Sequence, residues 1–219
     1  AYRRQRQMCI RDRMHTFEEW KKKLIIVRGG GDIATGTIYK LHQSRFPVLV
    51  LEIANPSCIR RTISFCEAVF DKEVEVEGVI AKRADSLREA FAIYEQGQIP
   101  VMIDENGSTI ETLHPPVVVD AILAKKNIGT KIIDAPAVIG VGPGFCAGKD
   151  VDAVIETQRG HNLGRVIYEG EAAPNTGIPG RIAGYAKERV IHAPAAGNLH
   201  ILKQIGEIVQ AGDTIADIE

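Results

Sequence analysis

The sequence predicts an α/β fold: an open, mostly parallel sheet followed by a smaller β-rich region. Three observations lead there. Short apolar, β-branched runs recur through residues 14–163 and alternate with amphipathic or looped connections, the pattern of strands buried between helices. A glycine cluster, Gly29-Gly30-Gly31, separates the first run from a helical stretch. From about Gly164 glycine and proline recur and no helical stretch stands out, so a domain boundary is expected there, with residues 164–219 forming the second region.

The elements follow in order. Lys23 to Arg28 reads as a strand entering the glycines, and Ile33 to Gln43 carries Ile33, Thr37, Ile38 and Leu41 at helical spacing. Pro47 to Ile53 is a buried strand that ends near the carboxylate of Glu52 and stops at Asn55-Pro56. Val74 to Ile80 alternates charged and apolar residues, and Ser86 to Gln96 is an amphipathic helix with Ser86 or Asp85 as its cap. Pro100 to Asp104, Val117 to Ile122 and Ala137 to Val141 complete the expected strands.

Composition limits what such a fold can do. The chain has 219 residues, 45% hydrophobic and 25% charged, enough to bury roughly 70% of its unfolded surface without a disulfide or structural metal. A net charge of −1 offers no electrostatic footprint for nucleic acid or a membrane. Cys9, Cys58, Cys66 and Cys146 form no CxxC pair and no zinc-like spacing, so no metal site is expected and the cysteines read as reduced thiols. No run approaches a membrane span and the start lacks a signal-peptide core, so a cytoplasmic protein is expected. The basic, non-periodic stretch 1–13, directly followed by Met14, is expected to be a non-native or disordered leader of the kind left by adapter read-through.

The glycine cluster carries the main functional signal. Gly29-x-Gly31-x-x-Ala34 has the G-x-G-x-x-G/A form between a strand and a helix, the Rossmann-type dinucleotide loop. Gly29 permits the turn, Gly31 has no Cβ to block a pyrophosphate, Ala34 allows close packing, and Gly30 belongs to the same cofactor-binding loop. Ile33, Ala34 and Thr35 supply N–H groups at a helix start that favours anions. Asp32 departs from the pattern, because its charge would repel phosphate unless it caps the helix. Glu52 lies 23 residues beyond Gly29, close to the ~20 expected of an acid that binds a ribose diol. Arg60 and Arg61 could hold a 2′-phosphate. The competing reading is a tight βα turn without a ligand.

A second anion-suited stretch runs from Gly140 to Asp150, with Gly142 and Gly144 as its key positions. Cys146 beside it is a candidate for a lowered pKa, although a structural cysteine is the better explanation. In the loop after Glu156, Arg159 could clamp a phosphate and His161 could move a proton. Lys125, Lys126 and Asn127 form a further polar cluster. The plainer accounts are a Gly/Pro turn for the glycines, solvation for Arg159 and His161, and a helix-end cation pair for Lys125 and Lys126.

Val190 to Gly197 and Val209 to Glu219 contain APxxG-like and VxxGD turns and resemble half of a biotinyl/lipoyl-like β-sandwich. The strings IIVRGGGDIATG, IRRTISFCEAVF, VEVEGV, PPVVVDAILAKKN, GVGPGFCAGKDVDAVIETQRGH and NTGIPGRI resemble the YqeB-type accessory proteins of selenium-dependent molybdenum hydroxylase systems. Those proteins are similar in their Rossmann-like half to XdhC-type maturation factors. The resemblance implies a role in preparing or inserting the molybdenum cofactor, with a hydroxylase client as partner. It also implies that the chain runs on beyond Glu219, so the β-rich region is expected to be truncated and not itself a biotin or lipoate carrier.

The expectation is therefore a maturation factor, handling a cofactor more than performing metabolic chemistry, that binds either NAD(P) or a molybdopterin-type cofactor by its phosphate. The rivals are an NAD(P)-dependent oxidoreductase of a small metabolite, with His161 as its one proton-transfer candidate, and a non-catalytic docking scaffold.

Overall fold

In the computed structural model residues 16–177 and 180–219 are described; the expected leader, with Cys9, lies outside them. The chain divides into two compact units, one up to Asn175 and one from Thr176. The boundary expected near Gly164 therefore falls inside the first unit. Residues beyond Gly164 pair with strands of that unit, Val166 with Ile155 and Gly170 with Ala147.

The first unit contains a nine-stranded sheet. Its first four strands are β1 (Ile25–Arg28), β2 (Val48–Glu52), β3 (Glu73–Val76) and β4 (Val79–Ala84). Then come β5 (Ile99–Ile103), β6 (Val117–Asp120), β7 (Ala137–Val141), β9 (Ala153–Ile155) and β10 (Val166–Ile167). The order is β10-β9-β7-β6-β1-β2-β5-β4-β3. From β9 to β4 every pairing is parallel, and β10 and β3 pair antiparallel at the edges. β8 (Cys146–Ala147) forms a separate antiparallel pair with β11 (Gly170–Glu171).

Residue alternation explains why the central strands are apolar throughout. Ile25, Val27, Val48 and Val50 join one buried cluster with Ala34 and Ile38 of helix α2 (Asp32–Gln43). Ile26, Leu49 and Leu51 join another with helices α1 (Phe17–Lys23), α4 (Leu87–Glu95) and α5 (Ser108–Leu113). Successive strand side chains point to opposite faces, so a strand covered on both sides is hydrophobic at every position. The rings of Phe17, Trp20, Phe91 and Tyr94 lie 5.3 to 6.4 Å apart between α1 and α4. Helix α1 and helix α5 had no counterpart in the expected element list.

Two local details bear on sequence reading. Ser86 caps α4, its Oγ accepting from the Glu89 N–H at 3.2 Å, as its residue type predicted. The alternating run Val74 to Ile80 is a hairpin instead of one strand: Glu77 and Gly78 both have positive φ, 52° and 77°, and turn β3 onto β4. Just before β3 in the chain a short helix, α3 (Ala68–Asp71), covers the same edge.

The second unit contains an antiparallel pair, β12 (Leu199–Ile201) with β13 (Ala216–Ile218), in register Leu199↔Ile218.

Candidate functional site

In a parallel sheet all carboxyl ends lie along one edge. The expected site residues follow from this: Gly29 to Thr35 come after β1, Glu52 ends β2 and Arg60 and Arg61 come soon after it. Gly142 and Gly144 follow β7, and Arg159 and His161 follow β9. The strand order reverses at β1, because the chain lays β2 and β5 on one side and then crosses to β6 on the other. In open α/β sheets ligands bind in the crevice at such a reversal.

The glycine loop is fixed from below and open above. Gly29 has φ 90°, and a Cβ there would stand 2.9 Å from the Ile122 Cα on the loop after β6, so only glycine fits. Its N–H donates to the Leu51 carbonyl at 2.8 Å. Gly30 donates to Glu52 Oε2 at 2.7 Å, and the Ile53 N–H donates to Oε1 at 2.9 Å. Glu52 thus stands beside the loop, as its spacing predicts, but it already holds the loop backbone. The Gly30 carbonyl accepts from the Cys66 N–H at 2.8 Å and from the Thr35 hydroxyl at 3.1 Å. Thr35 Oγ1 accepts in turn from the Phe65 N–H at 2.9 Å. A Cβ at Gly30 would reach the Cys66 backbone N at 3.0 Å.

Gly31 is different. A Cβ there would meet nothing within 4 Å. Gly31 is the N-cap of α2 and no side chain caps the helix, so the first backbone N–H groups of a twelve-residue helix face an open approach. Asp32 does not cap it. Its Oδ2 accepts from Arg60 Nη1 at 2.6 Å, with Arg60 59% exposed. The departure from the glycine pattern is answered by a cation that the fold places against it. Arg61 is half-buried and turned elsewhere: its charge lowers the Glu67 carboxyl, which burial raises by more. Burial, then the charges of Cys58, Glu52 and Glu67, push the Cys66 thiol up, which makes it an inert neighbour of the loop.

The second glycine stretch is packed. A Cβ at Gly140 would sit 2.5 Å from the Phe145 ring, one at Gly142 2.8 Å from Leu123, and one at Gly144 2.6 Å from the Lys126 backbone. The Gly142 N–H donates to the Ile155 carbonyl and the Cys146 N–H to Asp150 Oδ2, both at 2.9 Å. Cys146 is half-buried within β8. Arg159 and His161 are exposed, in the loop that joins β9 to the edge strand β10. The Glu156 carboxylate organises their loop by accepting from the Gln158 N–H at 2.7 Å and the Ala173 N–H at 2.8 Å. Burial alone would raise this carboxyl, but the backbone N–H groups of Ala173, Gln158 and Thr157 hold it below the usual carboxylate range. Contacts therefore join Gly30, Thr35, Glu52, Asp32 and Arg60 into one cluster around the loop. None joins Gly142, Gly144, Arg159 or His161 to it among the described residues.

One group at the reversal escaped sequence reading. Arg28, 6% exposed, ends β1; Asp120, 1% exposed, ends β6. Arg28 Nη1 donates to Thr130 Oγ1, and Thr130 Oγ1 donates to Asp120 Oδ2, both at 2.5 Å, with Arg28 and Asp120 3.5 Å apart. Asn127 fixes Thr130: its Oδ1 accepts from the Gly129 and Thr130 N–H groups at 2.9 Å, and its Nδ2 donates to the Thr130 carbonyl at 2.8 Å. The available signal was a lone arginine closing an apolar run directly before the glycines.

These features define a class: an open, mostly parallel α/β protein with a glycine loop and an uncapped helix start where its strand order reverses. Over 194 residues the chain is 52% identical to a protein of Escherichia coli (strain K12) named Uncharacterized protein YqeB, taking in 89% of the chain and 36% of that protein. The resemblance to YqeB-type proteins is thereby shown over most of the chain, which spans little more than a third of the relative's length. No family model matches the chain, and no solved structure does. Among the described residues no helix is long and apolar enough to cross a membrane, and no three His, Cys, Asp or Glu side chains gather as a metal site would need.

Proposed function

We propose that the chain is the cofactor-binding part of an accessory factor for a selenium-dependent molybdenum hydroxylase, holding a phosphate-bearing cofactor at the start of α2. The single observation that carries the binding reading is Gly31: open space where a Cβ would be, at an uncapped helix start, beside the point where strand order reverses. The run β5-β2-β1-β6-β7-β9 matches the strand order of a doubly wound dinucleotide-binding sheet, which supports a Rossmann-like reading. Its connections from β6 onward contain no helix among the described residues, a departure from that plan. The accessory role rests on the sequence resemblance, and the pair β12–β13 is read as part of a biotinyl/lipoyl-like module on the same footing.

The phosphate belongs either to a dinucleotide or to the pterin-based molybdenum cofactor; both present oxygens that N–H groups at a helix start can bind. Glu52, held by Gly30, fixes the loop and leaves a carboxylate at its rim for a hydroxyl-bearing ligand. A metabolic oxidoreductase fits less well, because the one proton-transfer candidate, His161, is exposed in the loop between β9 and the edge strand β10. Mass spectrometry of small molecules released on denaturing the purified chain tests the reading. A phosphate-bearing pterin or dinucleotide is expected from wild type and not from Gly31→Asp. Turnover of NAD(P)H with a metabolite panel would instead support the oxidoreductase, and copurification with the hydroxylase without any small molecule would support a docking scaffold.

A further inference from the structure

We propose that the edge strand β10 and the cleft beside it take an extended segment of a partner protein as an added strand, with a lysine or arginine side chain of that segment in the cleft. The two edges of the nine-stranded sheet differ. At one end β3 holds Glu73 and Glu75 exposed and is covered by α3, two ways of stopping a sheet from growing. At the other end β10 presents Val166, 44% exposed, between Leu163 at 58% and Tyr168 at 75%. The backbone at this edge faces outward. Between β9 and β10 the Glu156 N–H donates to the Arg165 carbonyl at 2.9 Å, and the Gly164 N–H donates to the Glu156 carbonyl at 2.8 Å. Val166 is the next residue along and lies opposite Ile155, whose carbonyl turns the other way to accept from Gly142 beside β7. Hydrogen-bonded and non-hydrogen-bonded pairs alternate along an antiparallel ladder. The Val166 N–H and C=O therefore point away from β9, where a further strand would pair.

The charge of the cleft selects the occupant. It has a volume of about 560 Å³, lies wholly within the first unit, and is lined by Glu156, Arg165, Val166, Tyr168, Glu169 and Glu171 among others. Three carboxylates therefore face one guanidinium, and Arg165 Nη1 is 3.5 Å from Asn162 Oδ1. Glu156 spends both oxygens on backbone N–H groups, whereas Glu169 and Glu171 are exposed and enter no ion pair among the described residues. An exposed tyrosine ring beside free carboxylates suits an ammonium or guanidinium group, through the face of the ring and charged hydrogen bonds. In strand addition the main-chain bonds supply affinity and the sites for alternate side chains supply specificity. Val166 offers the first and the acidic cleft the second. This surface stands whether or not the start of α2 binds a phosphate.

The test is fluorescence anisotropy of two labelled, end-blocked peptides titrated with the whole chain: Val-Lys-Val-Lys-Val-Lys-Val and the same peptide with glutamate in place of lysine. Wild type should bind the lysine peptide roughly tenfold or more tighter than the glutamate peptide. Val166→Pro removes the outward N–H, and proline is tolerated on an edge strand where that group faces solvent. It should weaken the lysine peptide roughly tenfold while thermal unfolding stays as in wild type. Glu169→Lys combined with Glu171→Lys changes two exposed side chains and should reverse the preference between the peptides; it carries the test if Val166→Pro does not fold. The proposal is overturned if wild type binds the lysine peptide no better than the glutamate peptide, binding of neither at about 1 mM included, or if the variants bind both peptides as wild type does. A wild-type chain that sediments as a dimer, with Val166→Pro a monomer, would put a second copy on this edge and overturn it as well.

Discussion

Two glycine-rich loops lie on the same edge of the same sheet and are packed differently. At the end of β7 and just beyond it, Gly140, Gly142 and Gly144 each stand where a side chain would collide with Phe145, Leu123 or Lys126. After β1, Gly29 and Gly30 are packed in the same way, but Gly31 has nothing within 4 Å of where its Cβ would be. Glycine content is therefore a poor guide to a phosphate site. What separates packing from binding is whether the missing side chain leaves room for the protein or for something else.

The comparison can be broken by substitution, and the largest effect should come from the packed loops. Gly144→Ala forces a Cβ to within 2.6 Å of the Lys126 backbone at φ 111°, so a loss of about 3 kcal/mol in urea unfolding is expected from strain plus overpacking. Gly29→Ala should cost a similar amount. A loss under about 0.5 kcal/mol at either position, the range of an ordinary surface change, would show that these loops are not held as described.

Next in size is Glu156, which fixes the loop after β9. Its folded-state pKa is lowered by backbone N–H groups, so the carboxylate contributes stability above the unfolded value of about 4.3, and that contribution is lost as pH falls through the folded-state value. Glu156→Gln should therefore destabilise the chain by roughly 1–3 kcal/mol at pH 7 and by progressively less in acid. An unfolding difference between the two proteins that stays constant from pH 7 down to pH 3 would contradict the assignment.

Smaller effects sharpen the open end of α2. Gly36 lies inside the helix, is exposed, and has free space at its Cβ position, so Gly36→Ala should stabilise by up to about 1 kcal/mol. Arg60→Ala should change thermal stability by no more than about 1 kcal/mol, because the Asp32 pair is exposed. It should nonetheless weaken pyrophosphate binding, since Asp32 would then face the anion without its counter-charge. Equal binding by Arg60→Ala and wild type would remove Arg60 from the site.

How much of this was legible in the sequence depends on range. Strands β1, β2, β5, β6 and β7, helix α2 and the Ser86 cap are local patterns, and residue type with spacing found them. The hairpin at Glu77-Gly78 was hidden because the alternation of charged and apolar residues continues across the turn. Glu52 was found by its spacing, but its bond to Gly30 is a three-dimensional fact. The Arg28 network joins residues 92 and 102 positions apart in the chain, beyond any local signal. The packing of Gly142 and Gly144 could not be read from the sequence because their partners, Leu123 and Lys126, lie on a different strand's loop.

The most direct measurement is phosphorus content per chain, for wild type and Gly31→Asp purified in parallel from the native source. Aspartate at the N-cap position is a good helix cap, so the variant should fold as well as wild type or be stabilised by a few tenths of a kcal/mol. Its carboxylate would nonetheless occupy the approach to the helix start. Bound phosphorus in wild type and none in an equally stable Gly31→Asp is the predicted result. Equal phosphorus in both proteins would contradict the placement of a phosphate-bearing cofactor at this loop.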